Sequence, residues 1–239
     1  MITNWIIIIL ISYFAATITG FAGFGGGLLL LPILTSQLGL KEAIPVLTIA
    51  QIFGNLSRMT FSFSEIKWRP ALFFMIGSLP ASYLASKLFV ATNSDLIEKI
   101  IGFVILLIIA WRRIKKDNFH FNSRAMIGGG LLSGFLSGIT GVGGPVAAIF
   151  FLNYGLIGAA YISSQATTAI LTHLTKILVY SNGELLTKNG LVYGFVIGIT
   201  MILGSWTGKK IIDRLPKELF IIIVEVILLL TAIWFILKE

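Results

Sequence analysis

The stretch Thr19-Gly20-Phe21-Ala22-Gly23-Phe24-Gly25-Gly26-Gly27 interrupts a long apolar region with a cluster of glycines. A second stretch, Ser137-Gly138-Ile139-Thr140-Gly141-Val142-Gly143-Gly144-Pro145, does the same at a constant separation of 118 positions. We call them the first and the second glycine break. Because an apolar run follows each break, both predict non-helical backbone inside a membrane, which survives only where protein or a water-filled cavity covers it. Two breaks in corresponding halves are typical of the binding site of a transporter.

The composition is that of a membrane protein. The chain has 239 residues, of which 56% are hydrophobic and 12% charged, and its mean hydropathy is +0.96. Soluble domains carry about 25% charged residues, so an integral membrane protein with many spans is expected. The absence of cysteine excludes disulfides and thiolate sites, and two histidines cannot form a multi-histidine metal site, so we expect no cofactor and no metal. The net charge is +8, and the lysines and arginines that cause it stand mostly in short loops between apolar segments. Basic loops on the cytoplasmic side of a membrane protein explain this charge, so nucleic acid is not expected as a partner.

Ten apolar segments follow one another, and all are expected to be helical because isolated strands cannot pair their backbone in lipid. The chain is therefore predicted to be an all-α polytopic membrane protein. A full span takes about 20 residues, and the segments beside the glycine breaks are shorter, so they are either short spans or arms of re-entrant hairpins. The segments cover residues 3–18, 24–38, 43–62, 69–90, 96–112, 125–139, 145–159, 160–181, 189–208 and 216–237.

The two halves resemble each other beyond the glycines, since Leu56-Ser57-Arg58 aligns with Leu174-Thr175-Lys176 at the same separation. We predict an internal duplication with a first repeat over residues 1–113, a polar linker over 114–123 and a second repeat over 124–239. An odd number of segments in each repeat predicts inverted repeats, which enter the membrane from opposite faces. Lysine and arginine are more frequent on the face of the central linker in this arrangement, which favours that face as cytoplasmic.

Each glycine break is predicted to end one helix and to start another. Pro145 suits a first helical turn, because the N–H that it lacks would be unpaired there. A helix start exposes free N–H groups and the positive end of the helix dipole, which together bind anions. The alternative is close helix packing on small residues, which also explains the pairs Gly134/Gly138, Gly194/Gly198 and Gly204/Gly208. The glycines that we assign to solute binding are Gly25, Gly26, Gly27, Gly143 and Gly144.

Two polar stripes occupy single faces of otherwise apolar helices, one in each half. Their spacings of three and four residues place the members above one another on a helix. Such a stripe turns toward the bundle interior or a cavity, where amides and hydroxyls suit a solute with several acceptor oxygens and the cations attract its charge. Alternatively, the amides hold helices together and the cations extend to the membrane surface. The stripes are Thr48, Gln51, Asn55 and Arg58, and Gln165, Thr168, Thr172 and Lys176.

Two further residues are candidates for carrying a coupling proton. His173 lies next to the second stripe, and histidine changes its charge near physiological pH; a lone membrane histidine also serves as a hydrogen-bonded packing residue. Glu225 stands within the apolar run 221–227, where carboxylates are costly and mostly functional or paired. It would carry the proton, pair with a buried cation or lie protonated between helices.

The stretches 19–28 and 137–145 resemble the paired glycine motif of the TauE/SafE sulfite-exporter family of membrane transporters. The duplicated layout extends this resemblance over nearly the whole chain. The resemblance implies a secondary carrier of small anions such as sulfite, sulfonates, sulfoacetate and related organic acids, coupled to the proton gradient. It also implies fewer spans than our ten segments, a difference that re-entrant segments would remove. Pro145 stands where the first break has Gly27, so the two sites need not be equivalent.

We therefore expect a secondary transporter that moves small anions, namely sulfite, organosulfonates or related organic acids, by alternating access with ion coupling. An anion-selective channel and a membrane-embedded enzyme of sulfur metabolism are the alternatives. An enzyme is not expected, because no spacing of serine, histidine and acidic residues matches a known hydrolase pattern. The expected partners are a small anionic solute, the lipid bilayer, H⁺ as the coupling ion and a second copy of the chain in a homodimer. The expected location is the inner membrane of a prokaryotic cell.

Overall fold

The structure, a computed structural model, describes residues 2–97, 99–101, 103, 106–107, 120–211 and 233. All regular secondary structure in these residues is helical, which confirms the predicted all-α fold. A short 3-10 turn, Phe63–Glu65, lies between the third and the fourth helix. The α-helices are α1 (Ile2–Ala22), α2 (Gly26–Leu38), α3 (Leu40–Phe61), α4 (Trp68–Ala91), α5 (Ser123–Thr140), α6 (Gly144–Asn153), α7 (Gly158–Asn182) and α8 (Lys188–Ile211).

The helices follow the predicted apolar segments closely except at the end of α6. The predicted apolar segment covers residues 145–159, but α6 ends at Asn153. Gly155 adopts a φ of +95°, its N–H donates to the carbonyl of Leu152 (3.0 Å), and the N–H of Leu156 donates to that of Phe151 (3.2 Å). A left-handed glycine closes a helix with this pattern of hydrogen bonds. The glycine therefore ends α6 although the sequence remains apolar.

Close contacts at glycines show that α1, α3 and α8 run in one direction. The facing pairs, in order along α8, are Ile49 with Gly194, Phe53 with Gly198, Tyr13 with Gly204 and Thr17 with Gly208. The residue numbers rise together in each pair of helices, so α8 is parallel to α3 and to α1. These glycines let helix backbones approach each other, as predicted for Gly194/Gly198 and Gly204/Gly208.

The helices α4, α5 and α7 run in the opposite direction. The nitrogen Nζ of Lys41, at the start of α3, donates to carbonyls near the end of α4, so these two helices are antiparallel. A Cβ atom on Gly130 would lie 2.0 Å from the carbonyl oxygen of Phe74, so α4 and α5 touch backbone to backbone. The facing pairs along α4 are Phe74 with Gly130, Ser78 with Gly134 and Ala85 with Gly138 on α5, and Ser78 with Thr172 and Phe89 with Tyr180 on α7.

Each glycine break lies at the tip of a helical hairpin, formed by α1 with α2 and by α5 with α6. Gly26, at the start of α2, is level with Gly54 of α3, since Cβ atoms on both would lie within 3.4 Å of the methyl carbon of Met201. The second hairpin returns to the end where it began, because the N–H of Phe121 donates to the carbonyl of Asn153 (2.8 Å). Both breaks are therefore inside the helix bundle.

Two of the described helices, Trp68–Ala91 and Lys188–Gly208, are long and apolar enough to cross a membrane, judged by length and composition. Shorter apolar helices cover Ile6–Gly20, Gly26–Leu38 and Gly144–Asn153. The predicted linker and the last predicted segment lie mostly outside the described residues, so the boundaries of the two repeats stay predictions.

Candidate functional site

The two glycine breaks end their first helices with the same turn. Gly23 has a φ of +77°, and its N–H donates to the carbonyl of Thr19 (2.9 Å). Gly141 has a φ of +75°, and its N–H donates to the carbonyl of Ser137 (3.0 Å). Glycine adopts this left-handed conformation without the strain that a side chain would bring. The separation of 118 positions in the sequence thus corresponds to one local geometry that is used twice.

The helices that follow the breaks begin at one shared space. The helices α2 and α6 start at Gly26 and Gly144, and neither start has a side-chain cap. A Cβ atom on Gly144 would lie 3.2 Å from Cβ of Phe24, so the two breaks meet. The first N–H groups of a helix have no partner within the helix and carry the positive end of its dipole. Two such ends therefore converge.

A cavity of about 60 Å³ lies between the breaks. One water molecule needs about 10–15 Å³ on this scale, so the cavity has room for about four to six waters or one small oxyanion. Of the residues assigned from the sequence, Lys176 is not part of the lining and Glu225 lies outside the described residues. The assigned residues that do line the cavity are Gly25, Gly26, Gly27, Gln51, Asn55, Arg58, Gly143, Gly144, Gln165, Thr168, Thr172 and His173.

Arg58 is a buried cation in the cavity wall and is only 6% exposed. Its Nη1 donates to the carbonyls of Thr19 (3.2 Å) and Gly23 (3.0 Å), which close α1 at the negative end of its dipole. Its Nε donates to the carbonyl of Gly54 (3.3 Å), and its Nη2 donates to Oδ1 of Asn55. A guanidinium has five N–H donors, and the hydrogen bonds to described residues occupy four of them.

The described residues place no carboxylate opposite the charge of Arg58. No aspartate or glutamate of the described residues lines the cavity. The alternative interpretation, that Arg58 and Lys176 extend to the membrane surface, is wrong, because both side chains are buried. A buried charge is tolerated when it is hydrogen-bonded and paired with an opposite charge. The carbonyls of α1 give Arg58 hydrogen bonds but no opposite charge.

Three residues of the cavity lining each have one buried polar atom without a hydrogen-bond partner in the described structure: Nε2 of Gln51, Oε1 of Gln165 and Nδ1 of His173. Gln165 and His173 are 4% and 5% exposed. The amide of Gln165 is oriented by its Nε2, which donates to the carbonyl of Gly144 (3.0 Å). Buried polar atoms are costly when they are unpaired, and a small movement of these side chains would let a guest in the cavity pair with them.

Several lining residues were not assigned from the sequence, among them Thr19, Phe24, Ser133, Ser137 and Met201. Ser133 orients the second break, since its Oγ donates to the carbonyl of Gly143 (2.9 Å). Thr19 and Ser137 share the separation of 118 positions, a signal that could have identified them. Met201 comes from α8 and has no such signal.

Comparison with known proteins gives the family of the chain. A family model described as "Sulfite exporter TauE/SafE" matches residues 8–235. The chain belongs to the TauE/SafE family. It is similar to "Probable membrane transporter protein YjnA" of Bacillus subtilis (strain 168). The alignment is 258 residues long with 27% identity, and it covers 92% of this chain and 96% of the relative. No solved structure matches the chain.

Membership of the TauE/SafE family confirms the resemblance noted in the sequence. It identifies the chain as a membrane transporter and not an enzyme, with a small solute and the lipid bilayer as partners. No group of three or more histidine, cysteine, aspartate or glutamate residues in the described part of this TauE/SafE chain could hold a metal ion.

We expect the variant Gly25→Ala to weaken solute binding to this TauE/SafE transporter. Gly25 has a φ of +108° and open space where a Cβ would stand, so alanine introduces backbone strain without a clash. Strain of about 1–2 kcal/mol would shift the start of α2. Because a tenfold change in affinity corresponds to about 1.4 kcal/mol, we expect KM to rise by about tenfold. Transport kinetics in proteoliposomes measure this change.

The matched control is Gly155→Ala. Gly155 has a φ of +95° and open space around it, but it lies in the turn after α6 and not in the cavity lining. Both variants should lose similar stability, and only Gly25→Ala should change KM. Equal KM values for the two variants would refute a role for Gly25 in binding.

Proposed function

We propose that the chain is a secondary transporter that moves small oxyanions, namely sulfite, organosulfonates or related organic acids, by alternating access. Gly25, Gly26, Gly143 and Gly144 would supply backbone donors at the centre of the pathway. The side chains that would complete the binding site are those of Gln51, Asn55, Arg58, Gln165, Thr168 and Thr172. Gly27 would allow close approach, since its Cβ position lies 2.8 Å from Nε2 of Gln51.

One observation carries this proposal: a buried arginine and two uncapped helix starts share a cavity whose described lining contains no carboxylate. Each of these groups favours negative charge. A cationic solute would meet the guanidinium of Arg58 at short range inside a low-dielectric bundle, where repulsion is strong. A neutral solute would leave the charge of Arg58 without a partner. A small anion satisfies all three groups together.

The size of the cavity favours the smallest members of the substrate class. Room for about four to six water-sized atoms suits sulfite, which has four heavy atoms. The unpaired Nε2 of Gln51 and the fifth donor of Arg58 match its acceptor oxygens. The unpaired Oε1 of Gln165 would accept a hydrogen bond from a protonated anion or from an accompanying water.

Proton coupling, inverted repeats and the cellular location belong to the same proposal. His173 supports coupling, because it belongs to the cavity lining and its buried Nδ1 has no partner in the described structure that would keep it from holding a proton; Glu225 stays a prediction. The opposite directions of α1 and α5, which begin the two halves, support inversion. The bacterial relative supports the inner membrane of a prokaryotic cell, and the homodimer stays a prediction.

Counterflow in proteoliposomes tests the proposal. Vesicles loaded with unlabelled sulfite should take up radiolabelled sulfite in a saturable manner, and protein-free vesicles should not. Unlabelled sulfite should compete most strongly, and sulfoacetate and taurine less, because both are larger than the cavity accommodates; Arg58 would also repel the ammonium group of taurine. In a separate assay of net uptake down a sulfite gradient, an internal pH dye should report proton movement with the anion.

Other results would contradict the proposal in distinct ways. Unitary currents without saturation would favour an anion-selective channel. A chemically altered product inside the vesicles would favour a membrane-embedded enzyme. Saturable uptake of a cation with no uptake of any tested anion would refute the assignment of substrate class.

A further inference from the structure

Lys176 of α7 is a second buried cation, which the cavity lining does not include. Its side chain is 0% exposed. Its described contacts are a hydrogen bond of 3.4 Å from Nζ to Oγ of Ser137 and the ring of Tyr180, whose centroid lies 6.0 Å from Nζ. No carboxylate of the described residues pairs with it. A charged group in such surroundings is costly unless something compensates it.

Lys176 stands at the same distance in sequence from the second break as Arg58 does from the first. Both residues stand at the same separation of 118 positions as the breaks. Arg58 bonds the carbonyl of Thr19, and Lys176 bonds the hydroxyl of Ser137, the counterpart of Thr19. Ser137 lines the cavity, so a single hydroxyl separates Lys176 from the space that Arg58 faces.

Beyond Ser137, two rows of buried polar side chains face each other between α4 and α7. We call these rows the polar track. Members of each row are four residues apart and therefore share one helix face. The track begins at the cavity, which Thr172 lines, and runs toward the ends of α4 and α7. The rows are Ser78, Ser82 and Ser86 on α4, and Thr172, Lys176 and Tyr180 on α7.

Contacts along the polar track connect its two rows. Oγ1 of Thr172 donates to Oγ of Ser78 (3.4 Å) at the cavity end. At the far end, the hydroxyl of Tyr180 donates to the carbonyl of Gly138 (3.3 Å), and a Cβ atom on Gly138 would lie 2.9 Å from the amide nitrogen of Ser86. The hydroxyl of Ser86 interacts with that of Tyr180 from the opposite row, although the contact is too poorly aligned to count as a full hydrogen bond.

Simple helix packing does not explain this arrangement. Alanine would bring α4 as close to its neighbours as serine does, without a buried hydroxyl, and a fully buried lysine adds cost and little packing. Ionisable residues inside membrane helices mark the paths of ions and solutes. A cation halfway along a polar track that opens into an anion cavity is suited to receive the anion.

We propose that Lys176 forms a second anion-binding position, which the solute reaches from the cavity past Ser137 and leaves along the polar track. This inference rests on the proposed function and adds a path for the solute, which runs from the first break toward the ends of α4 and α7. Arg58 holds the anion in the cavity, and Lys176 draws it out.

The variant Lys176→Gln separates binding from movement. The affinity of the cavity for sulfite, measured by equilibrium dialysis of the purified protein, should stay unchanged because Arg58 is intact. Counterflow should fall by about tenfold or more, a barrier increase of about 1.4 kcal/mol. The matched control is Lys87→Gln, which removes the charge of an exposed lysine on α4 and should change neither quantity.

The outcomes distinguish this inference from the proposed function. Counterflow of Lys176→Gln equal to that of Lys87→Gln would overturn the second position and leave the cavity assignment intact. Loss of sulfite binding in Lys176→Gln would show that the lysine serves the cavity itself and would also overturn it. Absence of sulfite binding and transport in the native protein would overturn both proposals.

Cysteine labelling tests the polar track even if Lys176→Gln does not fold. The chain contains no cysteine, so Ser86→Cys introduces a unique thiol by the exchange of one atom. During turnover with sulfoacetate, an anionic thiosulfonate should label this thiol about tenfold faster than a cationic one of equal size, which corresponds to about 1.4 kcal/mol. Equal rates, or no labelling by either reagent, would overturn the proposal.

Discussion

Replacement of Arg58 by methionine should raise the KM for sulfite by about tenfold to about a hundredfold. A hydrogen bond to a charged group contributes about 1.5–3 kcal/mol, and every 1.4 kcal/mol is about a factor of ten in affinity. The fifth N–H donor and the positive charge would both be lost. The same substitution frees the carbonyls of Thr19 and Gly23, so folding has to be measured by thermal unfolding alongside transport.

Two further variants separate the charge of Arg58 from its hydrogen bonds. Arg58→Lys keeps the charge and should retain part of the transport, as a lysine occupies the corresponding place in the second half. Lys87→Met removes an exposed charge from α4, where Nζ lies 4.6 Å from the ring centroid of Tyr83, and should leave KM unchanged. If Arg58→Met folds and transports with native KM, Arg58 does not bind the anion.

Gly130→Ala should destabilise the protein strongly. The added Cβ would lie 2.0 Å from the carbonyl oxygen of Phe74 and 2.9 Å from the amide nitrogen of Ser78. Both neighbours belong to the backbone of α4 and cannot move aside without moving the helix. Overpacking a close contact costs about 1–3 kcal/mol and occasionally more, so the unfolding temperature in detergent should fall clearly.

Gly128→Ala is the control for this effect. Gly128 lies on the same helix, but a Cβ there would meet nothing within 4 Å. Alanine has a higher helix propensity than glycine, so Gly128→Ala should be neutral or slightly stabilising. Similar unfolding temperatures for the two variants would show that α4 and α5 are not in backbone contact.

The helical layout and most of the cavity wall could be predicted from the sequence, because both depend on local patterns. Apolar runs long enough to cross a bilayer are nearly always helical, and the paired glycine clusters locate the breaks without knowledge of their partners. Spacings of three and four residues put Gln51 and Asn55 on one helix face, and this face does line the cavity. Their role in binding stays a prediction.

Depth in the bundle could not be predicted in the same way. Arg58 and Lys176 stand near helix ends in the sequence, which suggests exposure at the membrane surface, but neighbouring helices extend past them and bury both. Ser78, Ser82 and Ser86 look unremarkable on α4 until the packing of α7 brings Thr172 and Tyr180 against them. The burial of a side chain depends on which helices become neighbours, and local sequence patterns do not specify those neighbours.

The contact between α4 and α5 has a consequence for how the molecule can move. The closest described neighbour of α4 belongs to the other half of the chain, and α8 likewise packs on α1 and α3 of the first half. A half-length chain would expose both of these small-residue faces to lipid tails. Any rigid body built on these contacts would therefore cut across the two predicted repeats, each one assembled from parts of both.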